Sequence, residues 1–243
     1  MLADYPKLEC PFVRKRYRVS KESWKKYGHK LQLRTPEVYL ATPEINPEYE
    51  WIFNCMDTVA TEKLDGTNVS IKTENGRLVY VQNRKNILDP LQVIKGPSFI
   101  IEGIFRAISK GYIKQDEINY GEVVGPKLQG NPYKLDNHIW VPFDYILEHY
   151  AYSSFIKQER TFNNFSSWFQ HGLRSRFYMK KHKCAFADSV FAEGIVFYNM
   201  YRKVNNLSWR CKLRRDMFEW YYTPYLEIGE EIKDEDRHES NSE

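Results

Sequence analysis

Glu62-Lys63-Leu64-Asp65-Gly66-Thr67-Asn68 sets one lysine beside acids, a glycine and two small polar residues. A lysine amine so placed is a candidate covalent nucleophile, provided that neighbouring cations or a bound metal hold it in the neutral form. The chain supplies cations suited to phosphate. In Ser208-Trp209-Arg210-Cys211-Lys212-Leu213-Arg214 the alternation puts Trp209, Cys211 and Leu213 on one strand face and Arg210, Lys212 and Arg214 on the other. Three like charges on one face repel. Bulk water or an anionic ligand must offset that, and a phosphate is the natural candidate.

The elements that must position these residues are legible nearby. Val69-Ser70-Ile71-Lys72 alternates as a half-buried strand does, and Asn75-Gly76 is a strong signal for a type I′ hairpin turn. Arg77-Leu78-Val79-Tyr80-Val81-Gln82 is the returning strand. With Asn75-Gly76 as a two-residue loop, Glu74 faces Arg77, Lys72 faces Val79, Ser70 faces Val81 and Thr67 lies opposite Arg84. The hairpin then folds the Arg84 guanidinium back onto the loop that carries Lys63, where it can grip a phosphate in a bidentate way. Further strands are expected over 120–125, over 139–147 with Pro142 marking an edge or bulge, and over 191–198. Apolar residues at Ile101, Ile104, Phe105 and Ile108 predict one face of a helix that stops at Gly111. Phe162, Phe165, Trp168 and Phe169 predict a second helix, read as core.

Length and composition set the frame. The chain has 243 residues and 42% hydrophobic content, enough for a full core. Aromatic residues make up 16%, and nucleic-acid proteins use such rings as stacking platforms as well as core. The net charge of +4 is unevenly spread: residues 227–243 carry eight acids and two bases, leaving 34 Lys and Arg against 24 Asp and Glu in the body. A basic body fits a polyanionic partner. Residues 1–35, with Arg14-Lys15-Arg16-Tyr17-Arg18, read as a basic and aromatic segment packed on the body and contributing to polyanion binding. The body proper is expected over 36–225, followed by an acidic, disordered tail at 226–243. Cys10, Cys55, Cys184 and Cys211 form no Cys-x-x-Cys pair, which argues against a zinc site or a disulfide framework and for a reducing, intracellular setting. The N-terminus lacks the apolar run of a signal peptide, and no stretch is long and apolar enough to span a membrane.

Taken in order, these pieces resemble the covalent nucleotidyltransferase superfamily of ATP-dependent DNA ligases, RNA ligases and mRNA capping enzymes. Lys63-Leu64-Asp65-Gly66 looks like the nucleophile motif and Asn83-Arg84 like the arginine motif that follows it. Tyr120-Gly121-Glu122 and Val141-Pro142-Phe143-Asp144 match the two central motifs, Glu193-Gly194-Ile195-Val196 the fourth and Lys212-Leu213-Arg214 the last. DNA ligases and capping enzymes usually place arginine two residues after the motif's glycine. Here that position is Asn68, as in RNA ligases of the nick-sealing type.

The resemblance implies an α+β fold, with largely antiparallel sheets framing an ATP cleft and helices outside. It implies that Lys63 attacks the α-phosphate of ATP, releases pyrophosphate and carries AMP on Nζ, then passes AMP to an RNA 5′-phosphate that a 3′-hydroxyl attacks. A free lysine titrates at about 10.4, so Lys212 and Arg214 would supply the field that frees the amine and neutralises the phosphoryl group. Glu193 would bind Mg²⁺ or Mn²⁺, Glu122 would contact the ribose and Phe143 would stack on adenine. Arg84 would contact the nucleotide or the RNA 3′ end, Asp65 and Asn68 would align the RNA termini and phosphates, and Glu62 would complete the nucleotide site. Two departures stand out. Arg214 occupies a position where the family typically has lysine, and only a short segment follows Arg215 where family ligases often carry a further domain. The adenylylation step is therefore better supported than efficient sealing, for which a partner protein or a missing clamping domain stays open. The rivals are a DNA ligase or capping guanylyltransferase, against which Asn68 argues, and a non-catalytic RNA-binding module, against which Lys63, Glu193 and Lys212 argue.

Overall fold

In chain order the elements are β1 (Phe12–Val19), α1 (Lys21–Tyr27), β2 (Glu37–Ile45), α2 (Trp51–Asn54), β3 (Val59–Lys63), β4 (Thr67–Glu74), β5 (Arg77–Asn83) and β6 (Asn86–Leu88). Then follow α3 (Ser98–Ser109), β7 (Ile118–Val124), β8 (Ile139–Pro142), α4 (Phe143–His149), α5 (Phe162–His171), α6 (Arg176–His182), β9 (Gly194–Tyr198), α7 (Met200–Val204), β10 (Arg210–Arg214) and β11 (Ile228–Glu231). The computed structural model describes residues 7–84, 86–89, 98–157, 159–205 and 207–233. It divides into two units, the first built chiefly from 59–155 and 174–195, the second from 9–58, 156–173 and 196–233.

The first unit centres on an antiparallel five-stranded sheet in the order β6-β5-β4-β7-β8. Its hairpin turn forms as expected, with φ of 49° at Asn75 and 74° at Gly76. These are the left-handed values that a type I′ turn requires. The register differs from expectation past the first pairs. Glu74 faces Arg77, but a bulge then sets Lys72 against Tyr80, Ser70 against Gln82 and Val69 against Asn83. Val79 is the extra residue, 43% exposed, and it turns its side chain out to water instead of facing Lys72. β8 is a sheet edge, and Pro142 closes it opposite Gly121.

Helix α3 covers this sheet with Ile100, Ile101, Ile104 and Ala107, against Val69, Ile71, Val81, Val123 and Trp140. The helix stops where Gly111 donates to the Ile108 carbonyl. Phe105 is 55% exposed and lies off the buried stripe on which the spacing had placed it. The expected strand over 139–147 is correct only to Pro142. The chain turns helical at Phe143, where Phe143, Ile146 and Tyr150 recur at helical spacing and pack into one cluster.

The second unit carries an antiparallel sheet, β11-β1-β2. Ile228–Glu231, counted by composition in the acidic tail, form strand β11 beside β1. Residues 234–243, the rest of that expected tail, lie outside the described residues. The basic run of β1 meets acids: Lys15 pairs with Glu231 at 3.0 Å, Arg16 with Glu37 at 3.6 Å and Arg14 with Glu9 at 3.9 Å. Helix α5 forms as predicted and buries Phe165 and Phe169. Phe165 meets Phe12, Phe53 and Phe197 edge-on, while Phe169 packs tilted against Phe218 at 5.4 Å. Each buried ring of this kind contributes on the order of 2–3 kcal/mol. No described helix is long and apolar enough to cross a membrane.

Candidate active site

Lys63 is the last residue of β3, and alternation along that strand sends Glu62 and Lys63 to opposite faces. β3 is held by its neighbour at 150–152: the Glu62 amide donates to the Tyr150 carbonyl at 3.0 Å and the Tyr152 amide to the Ala60 carbonyl at 2.8 Å. The Lys63 side chain is partly exposed. Its Nζ stands 2.6 Å from Oε2 of Glu193 and 3.4 Å from the Leu64 carbonyl. Glu193 immediately precedes β9, so the strand expected over 191–198 begins only at Gly194. Glu193 is thereby left at the strand's mouth instead of inside its ladder.

The turn after Lys63 lies almost on the backbone of β7. A Cβ at Gly66 would stand 2.1 Å from the Val123 carbonyl oxygen, so no side chain fits there. Asn68 follows in β4, directly across from Glu122 of β7. Glu122 is partly exposed, and its carboxyl is pushed up to about 8. Desolvation is the main cause. Lys63 pulls it down, Glu193 and Asp65 push it up, and Arg84 pulls it down. Lys63, Asp65, Arg84, Glu122 and Glu193 therefore share one electrostatic neighbourhood. Arg84 is exposed and adopts φ 54°, just beyond the end of β5. Thr67 donates to the Asn83 side chain at 3.0 Å, which ties the residue before Arg84 to the loop after Lys63, while the expected pairing of Thr67 with Arg84 is lost to the bulge at Val79. Phe143 packs partly buried beside the cluster that contains Leu64.

Glu62 is 1% exposed and faces away from Lys63 into the protein. Its Oε1 accepts from the Ser175 hydroxyl at 2.6 Å and its Oε2 from the Phe177 amide at 2.8 Å. Burial pushes this carboxyl up to about 7, while Ser175 and the backbone amides of Phe177 and Arg176 pull it back down. On the other side of Lys63, the Asp65 amide donates to the Tyr133 hydroxyl at 2.7 Å. Composition and spacing gave no sign of Tyr133. Ser175 had one signal, as a serine placed to cap the helix that follows.

Lys212 and Arg214 belong to the second unit. Cys211 and Leu213 are fully buried while Arg210, Lys212 and Arg214 are partly exposed, so the predicted alternation holds within β10. The expectation that water or an anion must offset this cationic face needs correction. Arg214 pairs with Asp216 at 2.9 Å, and the Arg210 guanidinium lies 4.0 Å over the Trp209 ring. Burial lowers Arg210 to about 10. The Lys212 amide donates to the Glu9 carbonyl at 2.8 Å.

A family model described as RNA ligase matches residues 56–214, a span that takes in every candidate site residue. The chain belongs to the RNA ligase family, the branch that Asn68 indicated. Among solved structures, a Naegleria gruberi RNA ligase mutant with ATP and Mn is similar over 72% of this chain and 54% of its own, at 16% identity and a TM-score of 0.43. The Naegleria gruberi RNA ligase with PPi is similar over 72% and 55%, again at 16% identity and 0.43. The chain thus spans about half the length of these structures. No curated protein matches it.

Proposed function

We propose that the protein is an ATP-dependent RNA ligase that works through a lysyl-AMP intermediate on Lys63. The nucleotidyltransferase body spans 36–225, with ATP held in a cleft framed by antiparallel sheets. The observation that carries the reading is the 2.6 Å contact between Lys63 Nζ and Glu193, with Asp65, Arg84 and Glu122 in the same neighbourhood. In the first step the Nζ lone pair forms a P–N bond to the α-phosphorus of ATP, the P–O bond to pyrophosphate breaks, and a proton leaves the amine. In the second, an oxygen of an RNA 5′-phosphate attacks that phosphorus, the P–N bond breaks, and the lysine amine leaves and takes up a proton. In the third, a 3′-hydroxyl attacks the activated 5′-phosphate, AMP leaves and the hydroxyl proton is released.

The chain's own residues have separable parts in this scheme. Glu193 orients Nζ through the ion pair and accepts the hydrogen bond that fixes its direction. Glu122, across from Asn68, is placed to meet a ribose hydroxyl, and its raised titration lets it donate as well as accept near neutral pH. Arg84 presents a cation to a phosphate at the mouth of the loop. Phe143 offers the adenine-stacking ring.

Glu193 would also hold the divalent metal. Among the described residues no three His, Cys, Asp or Glu side chains converge as ligands. A single hard carboxylate fits Mg²⁺ or Mn²⁺ that takes its remaining ligands from triphosphate and water. When bound, the metal supplies charge neutralisation at the phosphoryl oxygens.

Incubation with α-labelled ATP and Mn²⁺, followed by denaturing electrophoresis, tests the reading. A labelled band that is acid-labile, reversed by pyrophosphate and absent from Lys63→Ala is expected. A band that persists in Lys63→Ala sinks it, and labelling by GTP in preference to ATP transfers the case to a capping guanylyltransferase.

A further inference from the structure

We propose that helix α6 is the frame that fixes the Lys63 loop from both sides, and that Ser175 and Tyr133 are positioning residues for the attacking amine. The inference rests on the reading of Lys63 as nucleophile. Its starting point is that in the loop Lys63-Leu64-Asp65-Gly66 only Leu64 is buried in the core, while Lys63, Asp65 and Gly66 are partly exposed. A short turn carrying a long, flexible side chain delivers its amine accurately only if the backbone on either side of it is fixed.

Both sides are fixed, and both fixings lead to α6. On the N-terminal side the Glu62 carboxylate is gripped by the Ser175 hydroxyl and the Phe177 amide, the cap and first turn of that helix. On the C-terminal side the Asp65 amide is held by the Tyr133 hydroxyl. Tyr133 in turn meets Phe177 edge-on at 5.0 Å, and its carbonyl accepts from His182, the last residue of the helix, at 2.8 Å. Ser175 is fully buried, and Tyr133 and Glu62 are each 1% exposed, so water does not compete for these bonds.

Ser175 also reaches the other half of the ion pair. Its amide donates to the Val190 carbonyl at 2.8 Å, and its own carbonyl accepts from the Ser189 hydroxyl at 2.9 Å. Val190 lies three residues before Glu193. One buried serine thus anchors the strand that delivers the amine and the segment that delivers its carboxylate partner. Among the described residues, the hydrogen bonds of Ser175 and Tyr133 go to Glu62, to the Asp65 amide, to Ser189 and His182 and to neighbouring backbone. Their effect passes through the placement of Nζ.

The test uses the full chain, α-labelled ATP and Mn²⁺ in single-turnover labelling, with Tyr133→Phe and Ser175→Ala. A displaced nucleophile lowers the rate constant, and misplacement by about 1 Å costs roughly a hundredfold. We expect each variant to label about tenfold to a hundredfold more slowly at saturating ATP. The ATP concentration for half-maximal rate and the final labelled fraction should stay unchanged, and pyrophosphate should reverse the adduct more slowly by the same factor. Rate constants within about twofold of wild type in both variants overturn the proposal, being far short of what misplacement costs. So does a reduced labelled fraction at an unchanged rate constant, which marks a misfolded population only. An adduct that forms in Lys63→Ala overturns the nucleophile reading itself, and with it this proposal.

Discussion

Nζ of Lys63 and Oε2 of Glu193 stand 2.6 Å apart although 130 positions separate them in the chain. One ends a strand and the other immediately precedes one, so both side chains hang at strand ends. Under the proposed lysyl-AMP mechanism the pair cannot persist, because an amine must lose its proton and its carboxylate partner before it attacks phosphorus. Glu193→Ala therefore removes both the residue that orients the amine and the carboxylate that would bind metal. Labelling of Lys63 should fall on the order of a hundredfold or more, the scale on which single electrostatic contacts to a transition state operate. The metal concentration for half-maximal rate should rise as well. Labelling measured across a Mn²⁺ titration checks this, and an unaltered metal dependence would place the metal elsewhere.

Phe143 should behave differently. It begins a helix instead of continuing a strand, and it packs partly buried beside the Leu64 cluster. Phe143→Leu keeps apolar volume and loses only stacking, worth about 1 kcal/mol. The ATP concentration for half-maximal labelling should then rise about fivefold with little change in the maximal rate, since 1.4 kcal/mol is a factor of ten. Equal, small effects from Phe143→Leu and Glu193→Ala would remove both from the nucleotide site.

Two carboxyls give stability a pH signature. Glu62 is pushed up to about 7 and Glu122 to about 8, both chiefly by desolvation, from an ordinary value of 4.5. Between 4.5 and these values the folded protein binds more protons than the unfolded chain, so the favourable contribution exists at low pH and is lost as pH rises through 7 and 8. Glu122→Gln removes the second loss. Urea unfolding at acid and alkaline pH should show a shallower decline for the variant, by on the order of 1 kcal/mol after allowing for the partial exposure of Glu122. Identical slopes would show that Glu122 is ionised throughout.

Gly66→Ala tests the close approach of the nucleophile loop to β7. Its Cβ has 2.1 Å to the Val123 carbonyl oxygen, a backbone atom that cannot swing aside. The loop must shift instead. Melting should show a destabilisation of about 1–3 kcal/mol, typical of overpacking, together with loss of Lys63 labelling. Normal labelling in Gly66→Ala would mean that the loop has another productive position.

Much of this site is legible in the sequence because its parts are local. Asn75-Gly76 dictates a turn whatever surrounds it, and the alternation of Arg210 to Arg214 survives within β10. What the sequence hid was non-local or a matter of a single residue. The bulge at Val79 moves every later pair by one, and nothing in Leu78-Val79-Tyr80 announces it. Phe143 reads as strand because Val141-Pro142-Phe143 is apolar throughout, whereas packing of Ile146 and Tyr150 on the same side selects a helix. Tyr133 lies 68 positions from Asp65, and a phenol that accepts a single amide hydrogen bond leaves no periodic trace.

The surface of α6 carries a run of cations. Arg176, Lys180, Lys181 and Lys183 occur with no acid among residues 176–183, and Lys180 lies 5.3 Å over the Tyr145 ring. If these cations meet phosphates, RNA affinity falls steeply with salt, by about 0.9 in log K per log salt for each duplex phosphate neutralised and about 0.7 for a single strand. Charge reversal of Lys181, exposed and distant in sequence from the loop, should weaken binding of all RNAs alike and reduce that slope by about one. Discrimination should reside instead at the 3′-hydroxyl side of the junction, where a 2′-hydroxyl can be sensed. Nicked and single-stranded substrates with ribonucleotides on one side only, each run at two salt concentrations, separate the two effects. Sealing should require ribonucleotides at the 3′-hydroxyl side and tolerate DNA elsewhere. Equal sealing of all-DNA and RNA junctions would favour a DNA ligase, and labelling of Lys63 without sealing of any substrate would show that joining requires a partner protein or a further domain.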